Sequence, residues 1–346
     1  MTLRKLAFSF CCLAAASFPN CVAAETVLRL ALQQSLDDPI GQSVVAFKKE
    51  VEAVSKGELK IDVRDKGQTY QDYQVPEAVG GGAIEMGVTP LAQYAQFLPV
   101  AGIFMQPFLF NFDAIVEAAA KPGGDIRAVI DGGIGKETGA HVLWWEPNGW
   151  NVIFSKGAIP NPQSISKHNV RVFDEVAAEF VTLCGGTAQV ISESKQVEAL
   201  ELKLVDSTMA SLASLRNYEL WHSTDTISDI RHSANILIVI INEDIFQKLT
   251  PEQRNILMEA SKKAEAATWR KFGAEEAGTY SFAKKKGMTI QSLTPDDVVA
   301  WRVCSSSILE SFMSKAGPVG ARLMAAYGKL RTDPCCSQGA TAAFAR

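Results

Sequence analysis

The segment LRLALQQSLDDPIGQSVVAFKKEVEAVSKGELKIDV, residues 28–63, contains two apolar patterns of different period. Leucines alternate with other residues over positions 28–32, which is typical of a half-buried strand. The pair Asp38-Pro39 then has the composition of a helix start, and the apolar residues that follow recur every three or four positions. After Gly57 the alternation resumes. A strand, a helix and a second strand in this short space predict a βαβ unit.

The same succession of strands and helices recurs along the chain. Apolar alternation or unbroken apolar runs predict further strands at residues 84–88, 141–145, 149–156, 170–173, 188–191, 204–208 and 235–242. Helical spacing predicts helices at residues 73–82, 113–120, 175–184 and 195–202. This order predicts an α/β fold with an open, mainly parallel sheet covered on both faces. Ligands bind beyond the carboxyl ends of the strands in such sheets, so a site is expected in the loops there.

A long helix is predicted in the last third of the chain. Thr250, Pro251 and Gln253 have the pattern of a capping box with proline in the first turn, and helical spacing continues towards Lys286. This length exceeds that of most globular helices and indicates a helix that spans two lobes. The apolar run before it is interpreted as a return of the chain to the first sheet. The predicted lobes are residues 25–148 with 235–270 (lobe I) and residues 149–234 with 271–346 (lobe II).

The N-terminus has the pattern of a secretory signal. Arg4 and Lys5 precede an apolar run that reaches Phe18, and small residues lead up to Ala24. We expect residues 1–24 to be a cleaved signal peptide and the mature chain to be periplasmic, since no later apolar run has the length of a membrane span. Loss of the signal makes the formal net charge of −4 more negative. A mildly acidic chain argues against a nucleic-acid partner.

Four cysteines follow the signal: Cys184, Cys304, Cys335 and Cys336. An oxidising compartment permits a disulfide, and we expect Cys304 to pair with Cys335 or Cys336. Cys184 lies in an apolar turn with no base beside it, so we interpret it as a buried small hydrophobic residue.

Catalytic and metal-binding patterns are sparse. The four histidines, at positions 141, 168, 222 and 232, have no spacing that suggests metal ligands. The glycines at 80–82 lie between a predicted helix and strand and lack the Gly-Lys-Ser/Thr of a phosphate loop, so a helix end with a tight turn is the better interpretation. We therefore expect no catalysis, no metal and no cofactor.

Arg171 is unusual because it lies between Val170 and Val172 in a predicted strand. The next residue on its strand face is Phe173, and Asp174 begins a helix. A guanidinium at the carboxyl end of a strand can present a fork of donors to a carboxylate. A structural salt bridge to Asp174 or another neighbour is an equally good interpretation of the spacing alone.

Four stretches, taken in order, resemble one family. They are LKIDVRDKGQTYQDYQVPEAVGGGAIEMGVTP (59–90), LPVAGIFMQPFLFNFDAIVEA (98–118), VRVFDEVAAEF (170–180) with VEALELKLVDS (197–207), and IIN with FQKLTPEQRNILMEAS (240–261). Together with the signal they make the chain similar to the extracytoplasmic solute receptors of tripartite ATP-independent periplasmic (TRAP) transporters, the periplasmic dicarboxylate-binding protein family. The resemblance extends over roughly residues 26–330.

The resemblance implies a two-lobed periplasmic binding protein fold, class II-like, with a ligand cleft between the lobes and a long helix across both. It implies that an organic acid is captured by hinge closure and delivered to the membrane permease subunits, without catalysis. It also implies that Arg171 grips the ligand carboxylate. The chain departs from the family pattern near Gly149, where several members supply a second arginine and this sequence has none.

Position in the predicted fold adds further ligand-binding candidates. Some follow or end predicted strands, some lie at the first crossing between lobes, and one lies on a helix that matches a cleft-facing helix of the family. These candidates are Asp37, Glu77, Thr89, Trp150, Asn151, Phe173 and Met209.

With one candidate cation and an aromatic candidate, the expected ligand is a monocarboxylate with an apolar or cyclic body. The receptor is expected to be a monomer. Two alternatives remain open at this point: a periplasmic ligand-binding protein that serves a sensor kinase, and a secreted α/β hydrolase or lyase.

Overall fold

The computed structural model describes residues 25–337, so the predicted signal peptide lies outside the described residues. The first half contains the strands β1 (Thr26–Ala31), β2 (Leu59–Arg64), β3 (Met86–Pro90) and β4 (Ala140–Ser155). Its helices are α1 (Pro39–Val54), α2 (Val75–Gly80), α3 (Asp113–Ala120) and α4 (Asp125–Thr138). Short 3-10 helices lie at Asp72–Gln74, Leu91–Tyr94 and Pro99–Met105.

The second half adds six strands, β5 (Asn169–Val172), β6 (Thr187–Val190), β7 (Ser207–Ser211), β8 (Thr226–Ser228), β9 (Ala234–Asn242) and β10 (Thr289–Gln291). Its helices are α5 (Pro162–Ile165), α6 (Glu175–Leu183), α7 (Gln196–Glu201), α8 (Ser214–Asn217), α9 (Glu243–Lys248), α10 (Pro251–Lys285), α11 (Pro295–Cys304), α12 (Ser306–Thr332) and α13 (Pro334–Ser337). Two further 3-10 helices lie at Glu193–Lys195 and Leu220–His222.

β9 lies inside the first sheet, whose order is β2-β1-β3-β9-β4. It pairs antiparallel with β3 and with β4, whereas β1 is parallel to β2 and β3. Every residue of β9 except Asn235 is buried, as expected for a central strand covered on both faces. The sheet is therefore more mixed than the sequence predicts, because β9 returns from the second sheet in the opposite direction.

β4 joins the two sheets. Its residues 140–150 pair with β9, its residues 151–155 pair with β7, and residues 153–155 also pair with β8. The register is irregular between Pro147 and Trp150, where the strand passes from one sheet to the other. The two strands predicted at 141–145 and 149–156 are thus one strand. The second sheet continues outward as β7-β5-β6 on one side and β8-β10 on the other.

α10 has the predicted start and length. The Thr250 side chain accepts a hydrogen bond from the backbone amide of Gln253, and the Gln253 side chain accepts one from the backbone amide of Thr250. The helix is 35 residues long. Leu257 packs in the core of the first sheet, while the Tyr280 hydroxyl donates to Asp229 beside β8 at 2.7 Å. The helix therefore spans both halves of the molecule.

α12 also passes from one half to the other. Ile308, near its start, packs in the core of the second sheet with α6. Tyr327, near its end, donates from its hydroxyl to the Leu109 carbonyl at 2.6 Å and packs edge-to-face on Phe110. α12 thus connects the core of the second sheet to the segment that precedes α3.

α4 was not predicted from the sequence. Its segment DIRAVIDGGIGKET contains three glycines, which have low helix propensity and obscure the pattern. Ile126, Ile130 and Ile134 nevertheless recur every fourth residue and are all buried.

A disulfide joins Cys184, which follows α6, to Cys304 at the end of α11. The expected pairing of Cys304 with Cys335 or Cys336 is therefore wrong. Cys184 is buried in the apolar core as predicted, but its sulfur is joined to Cys304, which the sequence did not indicate. The core around the bond explains the pairing, since Trp301 of α11 stacks on Phe180 of α6 at 5.2 Å between ring centroids.

None of the helices in residues 25–337 is long and apolar enough to cross a membrane. Over the same residues, no three His, Cys, Asp or Glu side chains come together as a group that could hold a metal ion.

Glu146 is a buried carboxyl group in β4, only 1% exposed. Its Oε2 accepts from the Ser43 hydroxyl at 2.7 Å and from Trp144 Nε1 at 3.1 Å. Burial raises the pKa of Glu146 from 4.5 to about 8. Between these two values the folded protein keeps a proton that the unfolded chain has lost. Its contribution to stability is complete below pH 4.5 and is lost as the pH rises towards 8.

We expect the Glu146→Gln variant to become more stable relative to the wild type as the pH rises from 5 to 8. The expected gain is about 1.4 kcal/mol per pH unit, because the glutamine stays neutral in both states. Urea unfolding at four pH values measures the difference. Glu117→Gln, an exposed change on α3, is the control. A difference from wild type that does not vary with pH would contradict the prediction.

Candidate functional site

A cleft that opens to solvent lies between the two sheets. It lies beyond the carboxyl ends of β3, β5 and β7 and against the amino end of β9, which agrees with the expected position. The lining residues are Asp72, Pro90, Leu91, Ala92, Gln93, Ala101, Phe104, Met105, Arg171, Phe173, Glu193, Ala210, Ser211, Ala234, Asn235 and Ile236.

Arg171 lies on β5 and lines this cleft although it is only 1% exposed. Its Nε donates to the Ile191 carbonyl at 2.7 Å and its Nη1 donates to the Met209 carbonyl at 3.2 Å. Ile191 directly follows β6 and Met209 is the middle residue of β7, and these strands lie on either side of β5, so the segments next to β5 fix the direction of the guanidinium. Its Nη2 has no hydrogen-bond partner among the described residues. One edge of the guanidinium is therefore left for a further acceptor.

Two acidic side chains share the cleft with Arg171. Asp72 is 5% exposed and Glu193 is 9% exposed, and neither lies within 4.0 Å ion-pair distance of the guanidinium. Burial raises the pKa of both carboxyl groups, while the positive charge of Arg171 opposes that rise. Burial likewise lowers the pKa of Arg171, and the charges of Glu193 and Asp72 oppose the change.

The carboxylates of both acids accept hydrogen bonds from other residues of the protein. Asp72 Oδ1 accepts from the amide of Tyr73 at 3.0 Å, and Glu193 Oε1 accepts from the Ser214 hydroxyl at 2.6 Å. The first follows β2 and the second follows β6, so each sheet contributes one acid to the cleft.

The loops that carry these acids touch each other. Gln71 Oε1 accepts from the hydroxyls of Ser192 at 3.1 Å and Ser194 at 2.8 Å. Gln71 precedes Asp72, and Ser192 and Ser194 flank Glu193. These hydrogen bonds join the two halves of the molecule at one side of the cleft.

Three predicted candidates lie at the cleft or support it directly. Phe173 lines it, half-buried beside Arg171. Met209 supplies the carbonyl that accepts from Arg171, while its side chain packs in the core of the second sheet. The Thr89 hydroxyl donates to the Asp72 carbonyl at 2.9 Å and so fixes the backbone of an acid that lines the cleft.

The remaining candidates lie farther out. The Asn151 side chain donates to the Ser233 hydroxyl at 2.8 Å and accepts a long hydrogen bond of 3.4 Å from Asn235, which does line the cleft. Trp150 is fully buried, donates from Nε1 to Asp113 at 3.2 Å, and is not among the residues that line this cleft.

Glu77 and Asp37 are both exposed, and neither lines the cleft. Asp38 has the predicted helix-capping role, since its side chain accepts from the Gly41 amide at the start of α1.

Sequence reasoning did not single out Asp72, Glu193 or Asn235. Asp72 and Glu193 begin short 3-10 helices in the connections that follow β2 and β6, which is where this type of fold places ligands. Asn235 is the second residue of β9, at the amino end of that strand. A charged residue in a connecting segment is also typical of a solvated surface, so composition alone does not separate Asp72 and Glu193 from their neighbours.

Comparisons with known proteins agree with this arrangement. The family described as bacterial extracellular solute-binding protein, family 7, matches residues 30–316. The 2,3-diketo-L-gulonate-binding periplasmic protein of Escherichia coli is 23% identical over 337 residues, which cover 96% of this chain and all of that protein.

Two solved structures have the same fold. An extracytoplasmic solute receptor of Bordetella pertussis, solved with pyroglutamic acid, superposes with a TM-score of 0.83 at 20% identity and covers 88% of this chain and 99% of that one. A TRAP periplasmic solute-binding protein of a Sulfitobacter species, solved with β-D-galacturonate, gives a TM-score of 0.80 at 20% identity and covers 88% of this chain and 100% of that one.

These matches confirm the two-lobed α/β fold, and the family is one of solute receptors rather than enzymes. The matched segment includes both sheets, the cleft between them and most of the long helices. The chain belongs to family 7 of the bacterial extracellular solute-binding proteins.

Proposed function

We propose that this protein is the periplasmic receptor of a TRAP transporter, which captures an organic acid in the cleft between its lobes and delivers it to the membrane permease subunits. Residues 1–24 act as the signal peptide, and the mature receptor is a monomer without a nucleic-acid partner. The named ligands of the three relatives, a diketogulonate, pyroglutamic acid and a galacturonate, are all organic acids, which supports this ligand class.

The observation that carries the proposal is the buried guanidinium of Arg171. A buried cation with one unpartnered N–H edge is costly unless an acceptor reaches it, and a carboxylate is the acceptor whose geometry matches the fork. An amide or alcohol in the same place brings no negative charge to the unpartnered edge of the guanidinium, so the site favours acids.

The proposed lobes are residues 25–148 with 235–270 and residues 149–234 with 271–346. They meet where β4 passes between the sheets, and α10 and α12 also connect them. The contact of Gln71 with Ser192 and Ser194 belongs to the closed form, in which both acidic loops surround the ligand. Closure around a bound acid is favoured by these extra contacts.

Within the site, Arg171 binds the ligand carboxylate and Phe173 packs against the ligand body. Thr89, Met209 and Asn151 position residues that line the cleft. We place Trp150, Glu77 and Asp37 outside direct ligand contact in the closed form.

A thermal-shift screen of the purified mature chain tests the proposal. At a ligand concentration about 1,000 times the dissociation constant, binding to the folded state adds about 4 kcal/mol of stability, which raises the melting temperature by several degrees. We expect such a rise with at least one organic acid and a much smaller one with the corresponding primary amide. Equal shifts with an acid and its amide, or no shift with any acid, would contradict the proposed function.

A further inference from the structure

The charges in the cleft do not suit a ligand with two carboxylates. Among the described residues that line it, Arg171 is the one cation, and Asp72 and Glu193 are the acids. All three side chains are more than nine-tenths buried. A second carboxylate on the ligand would find no second cation and would lie near two acids in a medium where like charges repel strongly.

The carboxylates of Asp72 and Glu193 can accept hydrogen bonds from a ligand. Glu193 Oε1 accepts from Ser214, while no donor among the described residues reaches its Oε2. Neither Glu193 nor Asp72 is within ion-pair distance of Arg171, so the guanidinium does not take up their carboxylate oxygens as hydrogen-bond acceptors. Arg171 and the two acids thus offer a ligand separate places for a negative and a positive end.

The rest of the lining limits the ligand body. Most of it is apolar, including Leu91, Phe104, Met105 and Phe173, and its neutral polar groups are few. A body with many hydroxyl groups would lose hydration against these side chains without replacement hydrogen bonds. A short aliphatic or cyclic body suits this lining better.

We propose that the ligand is a small zwitterionic amino acid with an apolar body, whose carboxylate binds Arg171 and whose protonated amine donates to Glu193 and Asp72. This inference rests on the proposed function, since it takes the same cleft and the same grip on a carboxylate. It adds that the end of the ligand opposite the bound carboxylate carries a protonated amine.

Isothermal titration calorimetry on the mature chain tests the inference with matched probes. The apolar L-amino acids from alanine to phenylalanine, with proline, are compared with their deaminated acids, their primary amides and succinate. We expect at least one amino acid to bind, and its deaminated acid and its amide to bind at least about ten times more weakly, because each lacks one of the two charged hydrogen-bonding ends.

The Glu193→Gln and Asp72→Asn variants test the amine contact. Each amide side chain keeps an oxygen acceptor and the shape of the carboxylate that it replaces. We expect the affinity for the amino acid to fall roughly ten- to hundredfold. The ratio of the affinity for the deaminated acid to the affinity for the amino acid should therefore be higher than in the wild type. Glu201→Gln, an exposed change at the end of α7, is the matched control and should leave affinity unchanged. Circular dichroism and the ligand-free melting temperature verify the fold of each variant.

The outcomes separate the two proposals. Binding of a deaminated acid or of succinate as tightly as any amino acid overturns the zwitterion while the organic-acid receptor stands. Unchanged amino-acid preference in both folded variants overturns it as well. If no probe with a carboxylate binds and the wider acid screen also finds none, the proposed receptor function itself fails.

Discussion

Arg171→Lys is expected to weaken ligand binding at least about 100-fold. The substitution keeps a positive charge but loses the planar fork, which the Ile191 and Met209 carbonyls orient and which a carboxylate can meet with two parallel hydrogen bonds. Each charge-assisted hydrogen bond that is lost costs roughly 1.5–3 kcal/mol, and the Ile191 and Met209 carbonyls would also lose their donor.

Calorimetry with the tightest acid from the screen measures this change, with the ligand-free melting temperature as the test of folding. The matched control is Arg64→Lys at the end of β2, where the arginine is exposed and pairs with Asp62. A folded Arg171→Lys protein whose affinity stays within threefold of the wild type would remove Arg171 from the role of carboxylate grip.

Replacing Cys184 and Cys304 with serine is expected to lower the free energy of unfolding by about 4–5 kcal/mol. The bond closes a loop of sequence separation 120, and a closed loop of that length greatly restricts the unfolded chain. The loss of buried contacts between α6 and α11 acts in the same direction, since Phe180 and Trp301 pack beside the bond.

Guanidinium unfolding of the wild type and the double variant, each with and without reducing agent, measures the effect. The wild type under reducing conditions should approach the variant, and the variant should not respond to the reductant. Ligand affinity should change little, because neither cysteine lines the cleft. Equal unfolding free energies for the oxidised wild type and the variant would contradict a stabilising role.

Local patterns predicted much of this fold. The βαβ unit between β1 and β2 follows from alternation, a helix cap and a glycine stop within one short segment. The start of α10 follows from its capping box, and its length follows from uninterrupted helical spacing. Arg171 was noticed because a permanent charge inside an apolar strand is uncommon and needs a partner.

What the sequence did not predict depends on contacts between distant residues. The partner of Cys304 is set by packing of α11 on α6, which no spacing rule contains. Asp72 and Glu193 lie in two loops more than 100 residues apart in the chain, which meet through Gln71 and the serines beside Glu193. Before that meeting each acid resembles any other loop carboxylate.

The position of β9 affects the order in which the chain can fold. β3 and β4 are complete well before β9 in the chain, yet neither has its antiparallel partner in the first sheet until residues 234–242 fill the space between them. For a chain that emerges from its N-terminus, the first sheet therefore cannot close until about two-thirds of the polypeptide is available. Until then the facing edges of β3 and β4 have unpaired backbone groups, which are open to incorrect strand pairing.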